Sequence, residues 1–186
     1  MTNLYLVLAH YPVLNKHGQT IITSVTNLDI HDIARSAATY GVKCLYMVTP
    51  DSSQQGFVQE IISFWQGTEG TLYNANRNLA LSLVNIGNSI EDCQTAITMQ
   101  EGIPPLTITT TAHEMDMQIS YETVRDLRLG NRPLLLIFGT GHGLANCVHA
   151  NADYILQPIS GVGDYNHLSV RSAVAVVLDR IYFRCI

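Results

Sequence analysis

Apolar runs without polar alternation recur along the chain at residues 4–9, 42–48 and 134–138, separated by amphipathic stretches. A strand wetted on one side alternates apolar and polar residues, whereas a strand covered on both sides does not. Runs of this second kind demand helices above and below a mostly parallel sheet. The expected fold class is therefore α/β, a mostly parallel sheet sandwiched by helices, in a single domain over residues 1–186.

The helical segments fit that arrangement. Residues 29–40 put Ile30, Ile33, Ala34, Ala37 and Ala38 on one face and stop at Gly41. Residues 54–66 turn Phe57, Ile61, Ile62 and Trp65 inward. Ser89 and Asp92 have capping-box spacing, which predicts a helix over residues 90–101 before Gly102 and two prolines. Ser120 caps a helix ending near Gly130, a short helix follows residue 143, and a long helix from Leu168 to about Arg184 ends the sequence. Further strands are expected at residues 79–86, 106–110 and 154–156. The polar residues 67–77 carry no assignable pattern.

Composition narrows the function classes. With 186 residues, 47% of them hydrophobic, and a net charge of −5 that is not gathered in blocks, the chain has the makings of a packed core and not of a disordered tail. The acidic balance argues against tight, non-specific nucleic-acid binding but leaves room for a local basic patch. Lys16 and Lys43 are the lysines; the other basic residues are arginines, whose forks suit phosphate or carboxylate. Cys44, Cys93, Cys147 and Cys185 are too scattered for a disulfide framework or a zinc site, so no metal is expected. The first residues lack a basic flank, and no apolar run is long enough to span a bilayer. A cytoplasmic protein without a membrane partner is the expectation.

Directly after the most apolar run comes Gly139-Thr140-Gly141-His142-Gly143. In open α/β sheets, ligands sit at the carboxyl ends of strands, where glycines let backbone approach them. A tight strand-to-helix turn explains the glycines equally well. A P-loop is excluded because Leu144-Ala145 follows where Lys-Ser/Thr is required, and a dinucleotide fold is excluded because too little chain remains for its second half. The ligand expected is a nucleoside without a phosphate chain, held by backbone and apolar side chains. Pro158-Ile159 and Tyr165-Asn166-His167-Leu168-Ser169, leading into the last helix, supply such surroundings. Core packing for Ile159 and capping for Asn166, His167 and Ser169 are the competing roles.

These segments resemble the second and third motifs of the SPOUT class of trefoil-knotted RNA methyltransferases. Residues 27–35, Asn-Leu-Asp-Ile-His-Asp-Ile-Ala-Arg, with Gly41 beyond, are similar to the first motif of its ribose-methylating branch. The resemblance spans most of the chain. It implies a deep C-terminal knot, S-adenosylmethionine (SAM) as cofactor, and a homodimer built largely on the last helix. That helix offers Val170, Ala173, Val174, Val177, Leu178 and Ile181 as a wide apolar surface. Adenine would meet Gly139, Thr140, Gly141, His142 and Gly143, with Ile159 and Leu168; His167 and Ser169 would complete that side, and Thr110 would close the site. Three positions depart from the branch: its Glu is replaced at Gly141 or His142, its Asn by His167, and a Gly within residues 29–31.

Methyl transfer needs alignment and a group that takes the acceptor's proton. The resemblance gives Arg35 the role of orienting the acceptor and holding phosphate; as a guanidinium it suits positioning and charge stabilisation better than proton abstraction. Asp29, His31, Asp32 and His167 are the candidate proton acceptors. His31 and Asp32 lie four and three residues before Arg35, on one helical face, where an Asp32–Arg35 salt bridge is an equally good reading. His10 closes the first run and lines the pocket or hydrogen-bonds a loop. The expected function is methyl transfer from SAM to RNA, tRNA or rRNA, at ribose or base. A non-catalytic SAM-binding homodimer is the alternative, followed by another nucleotide-dependent enzyme.

Overall fold

A computed structural model describes residues 3–163 and 165–183. Its main sheet has seven strands, β1 (Leu4–Ala9), β4 (Cys44–Val48), β5 (Val84–Gly87), β6 (Leu106–Thr110), β7 (Gln118–Ile119), β8 (Leu134–Gly139) and β9 (Tyr154–Leu156). They are ordered β5-β4-β1-β8-β6-β9-β7, with every pairing parallel. A separate antiparallel hairpin joins β2 (Val13–Leu14) to β3 (Thr20–Ile21), turning at residues 15–18.

Strands β1, β4 and β8 sit at the centre, and each is buried on both faces through most of its length, as their unbroken apolar runs require. On one face Leu4, Leu6, Leu8, Leu136 and Phe138 meet α1 (Asn27–Thr39), α2 (Ser52–Gln66), α4 (Ala75–Leu81), α6 (Tyr121–Arg128) and α8 (Val170–Tyr182). On the other, Tyr5, Val7, Tyr46, Leu135 and Ile137 meet α5 (Ile90–Glu101), α7 (Asn146–Ala150) and the hairpin.

Caps set the helix starts. Thr26, Asp51, Ser89, Ser120 and Ser169 each accept a backbone N–H from the first turn they precede. Hence the first helix begins at Asn27 and the second at Ser52, both earlier than periodicity alone predicts, and α8 begins after Leu168 and Ser169. The expected end of α8 at Arg184 lies outside the described residues, as does Cys185.

Three expectations need correction. Residues 67–83 form α3 (Thr68–Tyr73) and α4, so Leu79, Ala80 and Leu81 are helical and the strand starts only at Val84. Asn74 drives this by accepting the Arg77 N–H as a helix cap. In α2, Val58 points inward with Ile62 and Trp65, whereas Phe57 is 38% exposed. Lastly, Val174, Val177, Leu178 and Ile181 are buried in this chain's own core, so α8 does not carry the surplus apolar surface expected of it.

Candidate functional site

The carboxyl ends of β1 and β8 meet the first turns of α1 and α8. At the first of these ends His10 is fully buried, with Nδ1 3.1 Å from the Thr23 hydroxyl. Thr23 reaches the Thr140 hydroxyl, and Thr140 donates over 3.0 Å to the Ala9 carbonyl. The Thr23 hydroxyl also lies 3.4 Å from the His10 carbonyl, so it sits among three polar neighbours, His10 Nδ1, Thr140 and that carbonyl. His10 Nε2 is buried and without a hydrogen-bond partner among the described residues. Burial pushes the His10 pKa down to about 4, and the nearby Asp29 carboxylate and the Thr23 contact only partly oppose the fall.

The glycine loop is held as firmly. Thr140 N–H donates to Ala9, His142 N–H to Leu14 and Gly143 N–H to Thr140, while Leu14 and Ala145 return N–H bonds to Gly143 and Pro12. Three of the loop's amides thus serve β1, the hairpin and the loop itself, against the expectation that they are offered to a ligand. Gly141 and Gly143 have positive φ of 60° and 103°. A side chain on Gly141 would strike the Leu14 carbonyl at 2.8 Å; beside Gly143 there is open space. The residues present suit a nucleoside: open backbone at Gly143, half-buried Ile159, and Leu168 at 50% exposure as apolar surface.

Arg171, in the first turn of α8, donates from Nη1 to Asp29 over 2.9 Å and places Nε 3.5 Å from Asp32. Asp29 is buried, and its other oxygen receives the Thr26 hydroxyl at 2.6 Å, so its carboxylate is committed to capping and pairing. Asp32 pairs with Arg171 rather than with Arg35. Between α1 and α8 a groove of about 500 Å³ is lined by Asp32, Arg35, Ser36, Thr39, Tyr40, Ser169, Arg171, Ser172 and Ala175. Arg35 is exposed there and has no carboxylate partner among the described residues.

Not every candidate joins this site. His31 leans edge-on against Trp65 with ring centroids 5.6 Å apart; burial and the neighbouring Arg77 and Arg35 charges hold its pKa down, against the pull of Asp32. Thr110 directs its hydroxyl to the Ile137 carbonyl within the sheet. His142 is exposed, and His167 packs its ring 5.4 Å from Tyr165. No hydrogen bond among the described residues joins the glycine loop to Ile159, His167, Leu168 or Ser169. The sequence reading missed Arg171, Thr23 and Thr26. Arg171 did carry a signal: a cation in the first turn of a helix opposes the helix dipole and calls for a carboxylate partner.

Among the described residues, no group of three His, Cys, Asp or Glu side chains is placed to hold a metal, and no helix is long and apolar enough to cross a membrane.

Comparison with known proteins places this geometry in context. Residues 3–183 match a protein family described as SAM-dependent RNA methyltransferase. The chain is 38% identical over 183 residues to an uncharacterised protein of Aquifex aeolicus, covering 98% of this chain and 89% of that protein. It is 40% identical over 179 residues to a tRNA (guanine-N(1)-)-methyltransferase of Oleidesulfovibrio alaskensis, covering 96% of this chain and 42% of the relative. The chain thus spans less than half the length of that second relative. The SpoU methyltransferase AviRb from Streptomyces viridochromogenes has a similar fold, with a TM-score of 0.61 at 18% identity, covering 97% of this chain and 59% of that one.

Proposed function

We propose that this chain, which belongs to the family of SAM-dependent RNA methyltransferases, transfers a methyl group from SAM to RNA in the α1/α8 groove. The observation that carries the reading is the convergence there of an exposed, carboxylate-free Arg35, the half-exposed Asp32 and the third-motif residue Ser169. Gly139, Thr140, Gly141, His142 and Gly143, with Ile159, His167, Leu168 and Ser169, would hold SAM, which would supply a methyl carbon made electrophilic by its sulfonium.

The chain's own residues do the rest. Arg35 holds the acceptor strand by phosphate and stabilises charge at the acceptor. Asp32 takes the acceptor's proton on its carboxylate: it lines the groove with Arg35, is half-exposed and meets Arg171 only at 3.5 Å, whereas Asp29 is buried and held by both Arg171 at 2.9 Å and Thr26. Arg171 ties the first turn of α8, adjoining the cofactor segment, to the first turn of α1, and so keeps the two halves of the site in register.

Sheet order supports the knotted fold as well. Strand β9 follows β8 in the chain yet lies between β6 and β7, so the connection from β6 to β7 spans it. A second copy of the chain completing the groove, and work in the cytoplasm where RNA is modified, belong to the same proposal.

The test is transfer of labelled methyl from SAM to bulk tRNA and rRNA, with SAM affinity measured by calorimetry. Arg35→Ala should abolish at least nine-tenths of transfer and leave SAM affinity within twofold. Transfer unchanged in Arg35→Ala would remove Arg35 from the mechanism. SAM binding without transfer to any RNA would favour a non-catalytic SAM-binding dimer.

A further inference from the structure

On the side of α1 away from the groove, α2, α3 and α4 gather an aromatic cluster about Trp65. The Arg77 guanidinium lies 4.8 Å from the Trp65 ring centroid, Phe64 lies 5.3 Å from it and Tyr73 6.2 Å. Trp65 itself is 9% exposed, but Phe64 is 54% and Tyr73 81% exposed, so the cluster is buried at its centre and open at its rim. Tyr73, 81% exposed, adds little to this chain's core beyond its ring contact with Trp65.

Charge adds a second, separate observation. Among the described residues neither Arg77 nor Arg35 has a carboxylate within ion-pair distance. Both guanidiniums are close enough to His31 to lower its pKa. In a chain of net charge −5 these are two guanidiniums without ion-pair partners among the described residues, although Asp32 offsets part of their effect at His31. The surface is also continuous: His31 touches Trp65 on one side and stands one turn from Arg35 on the other.

We propose that Tyr73, Phe64 and Arg77 form a docking surface for the single-stranded RNA flanking the methyl acceptor, leading past His31 to Arg35. Aromatic rings beside unpaired cations are what single strands require, bases stacking on the rings while phosphates meet the guanidiniums. Aromatic and arginine residues also anchor protein interfaces, so the choice of RNA rests on the continuity of this surface, through His31, with Arg35 in the groove. The proposal rests on the RNA methyltransferase reading and names where its substrate lies.

The experiment is fluorescence anisotropy with a labelled single-stranded oligoribonucleotide and with bulk tRNA, alongside SAM calorimetry and methyl transfer. Tyr73→Ala and Arg77→Gln should each weaken RNA binding by roughly five- to tenfold, with SAM affinity and melting temperature unmoved; Tyr73→Phe should bind as the unaltered protein does. Because Tyr73 is largely exposed, its removal leaves the fold intact. RNA binding within twofold of the unaltered protein in both variants, while transfer to RNA persists, would overturn the docking surface and leave the function standing. No RNA binding or transfer by the unaltered protein would overturn both. A dimer that Tyr73→Ala splits in light scattering, with RNA binding unaffected, would assign the patch to a second copy and overturn the proposal.

Discussion

His10 shows how a single residue can couple stability to pH. Its imidazole is buried and neutral, with Nδ1 beside the Thr23 hydroxyl and Nε2 unpartnered among the described residues. Burial lowers its pKa in the folded protein to about 4 from the ordinary 6.5. Between these values the unfolded chain takes up the proton and the folded one does not, so stability is complete above pH 6.5 and falls as the pH drops toward 4. The loss on going from pH 7 to pH 5 should be about 2 kcal/mol from this group. Burial pushes His149 and His31 in the same direction, so urea midpoints of the unaltered protein should fall over this range, and those of His10→Gln less steeply. Equal slopes would show that His10 is not the group concerned. None of this was legible in the sequence beyond a histidine at a strand end, because the chain of hydroxyls that fixes it joins residues 10, 23 and 140 only in three dimensions.

At the scale of elements, the hairpin β2–β3 acts as a clamp on the glycine loop. Leu14 accepts the His142 N–H and donates its own to Gly143, and Val13 bridges to Leu144. Gly141→Ala would place a methyl 2.8 Å from the Leu14 carbonyl on a backbone with φ of 60°. It should therefore lower stability by about 1–3 kcal/mol and weaken SAM binding at least tenfold, read by thermal denaturation and calorimetry. Gly143→Ala meets open space, bears only the strain of its positive φ, and should do less on both counts. The central strands and the capped helices were legible because two-sided apolar runs and cap residues are local signals. Residues 67–83 were not: Leu79, Ala80, Leu81, Leu83 and Val84 form a short apolar run that suits helix or strand equally, and the boundary is drawn by Asn74 and by pairing with β4. The first-motif residues were legible as one helix, yet α1 divides them, with Asp32 and Arg35 toward α8 and His31 toward α2.

For the whole molecule the question is how an acidic chain would hold a polyanion. Arg171 is neutralised by Asp29 and Asp32, and Lys43 by Glu101. Arg125 and Arg132 donate to backbone carbonyls, while Arg128 and Arg180 lie over tyrosine rings. Lys16 is exposed in the β2–β3 turn, off the proposed path, and Arg35 and Arg77, the latter over the Trp65 ring, are the cations placed on it. Each phosphate neutralised on a single strand contributes about −0.7 to the slope of log binding constant against log salt. The slope for a short single strand should therefore be near −1.4 per chain, and near −0.7 in Arg77→Gln. On the proposed path, such weak salt dependence would leave the selection of RNA to stacking on Tyr73 and the fit of the acceptor in the groove, not to bulk charge. A slope steeper than about −3 would show that RNA meets far more cations than this path supplies, and that its route over the surface lies elsewhere.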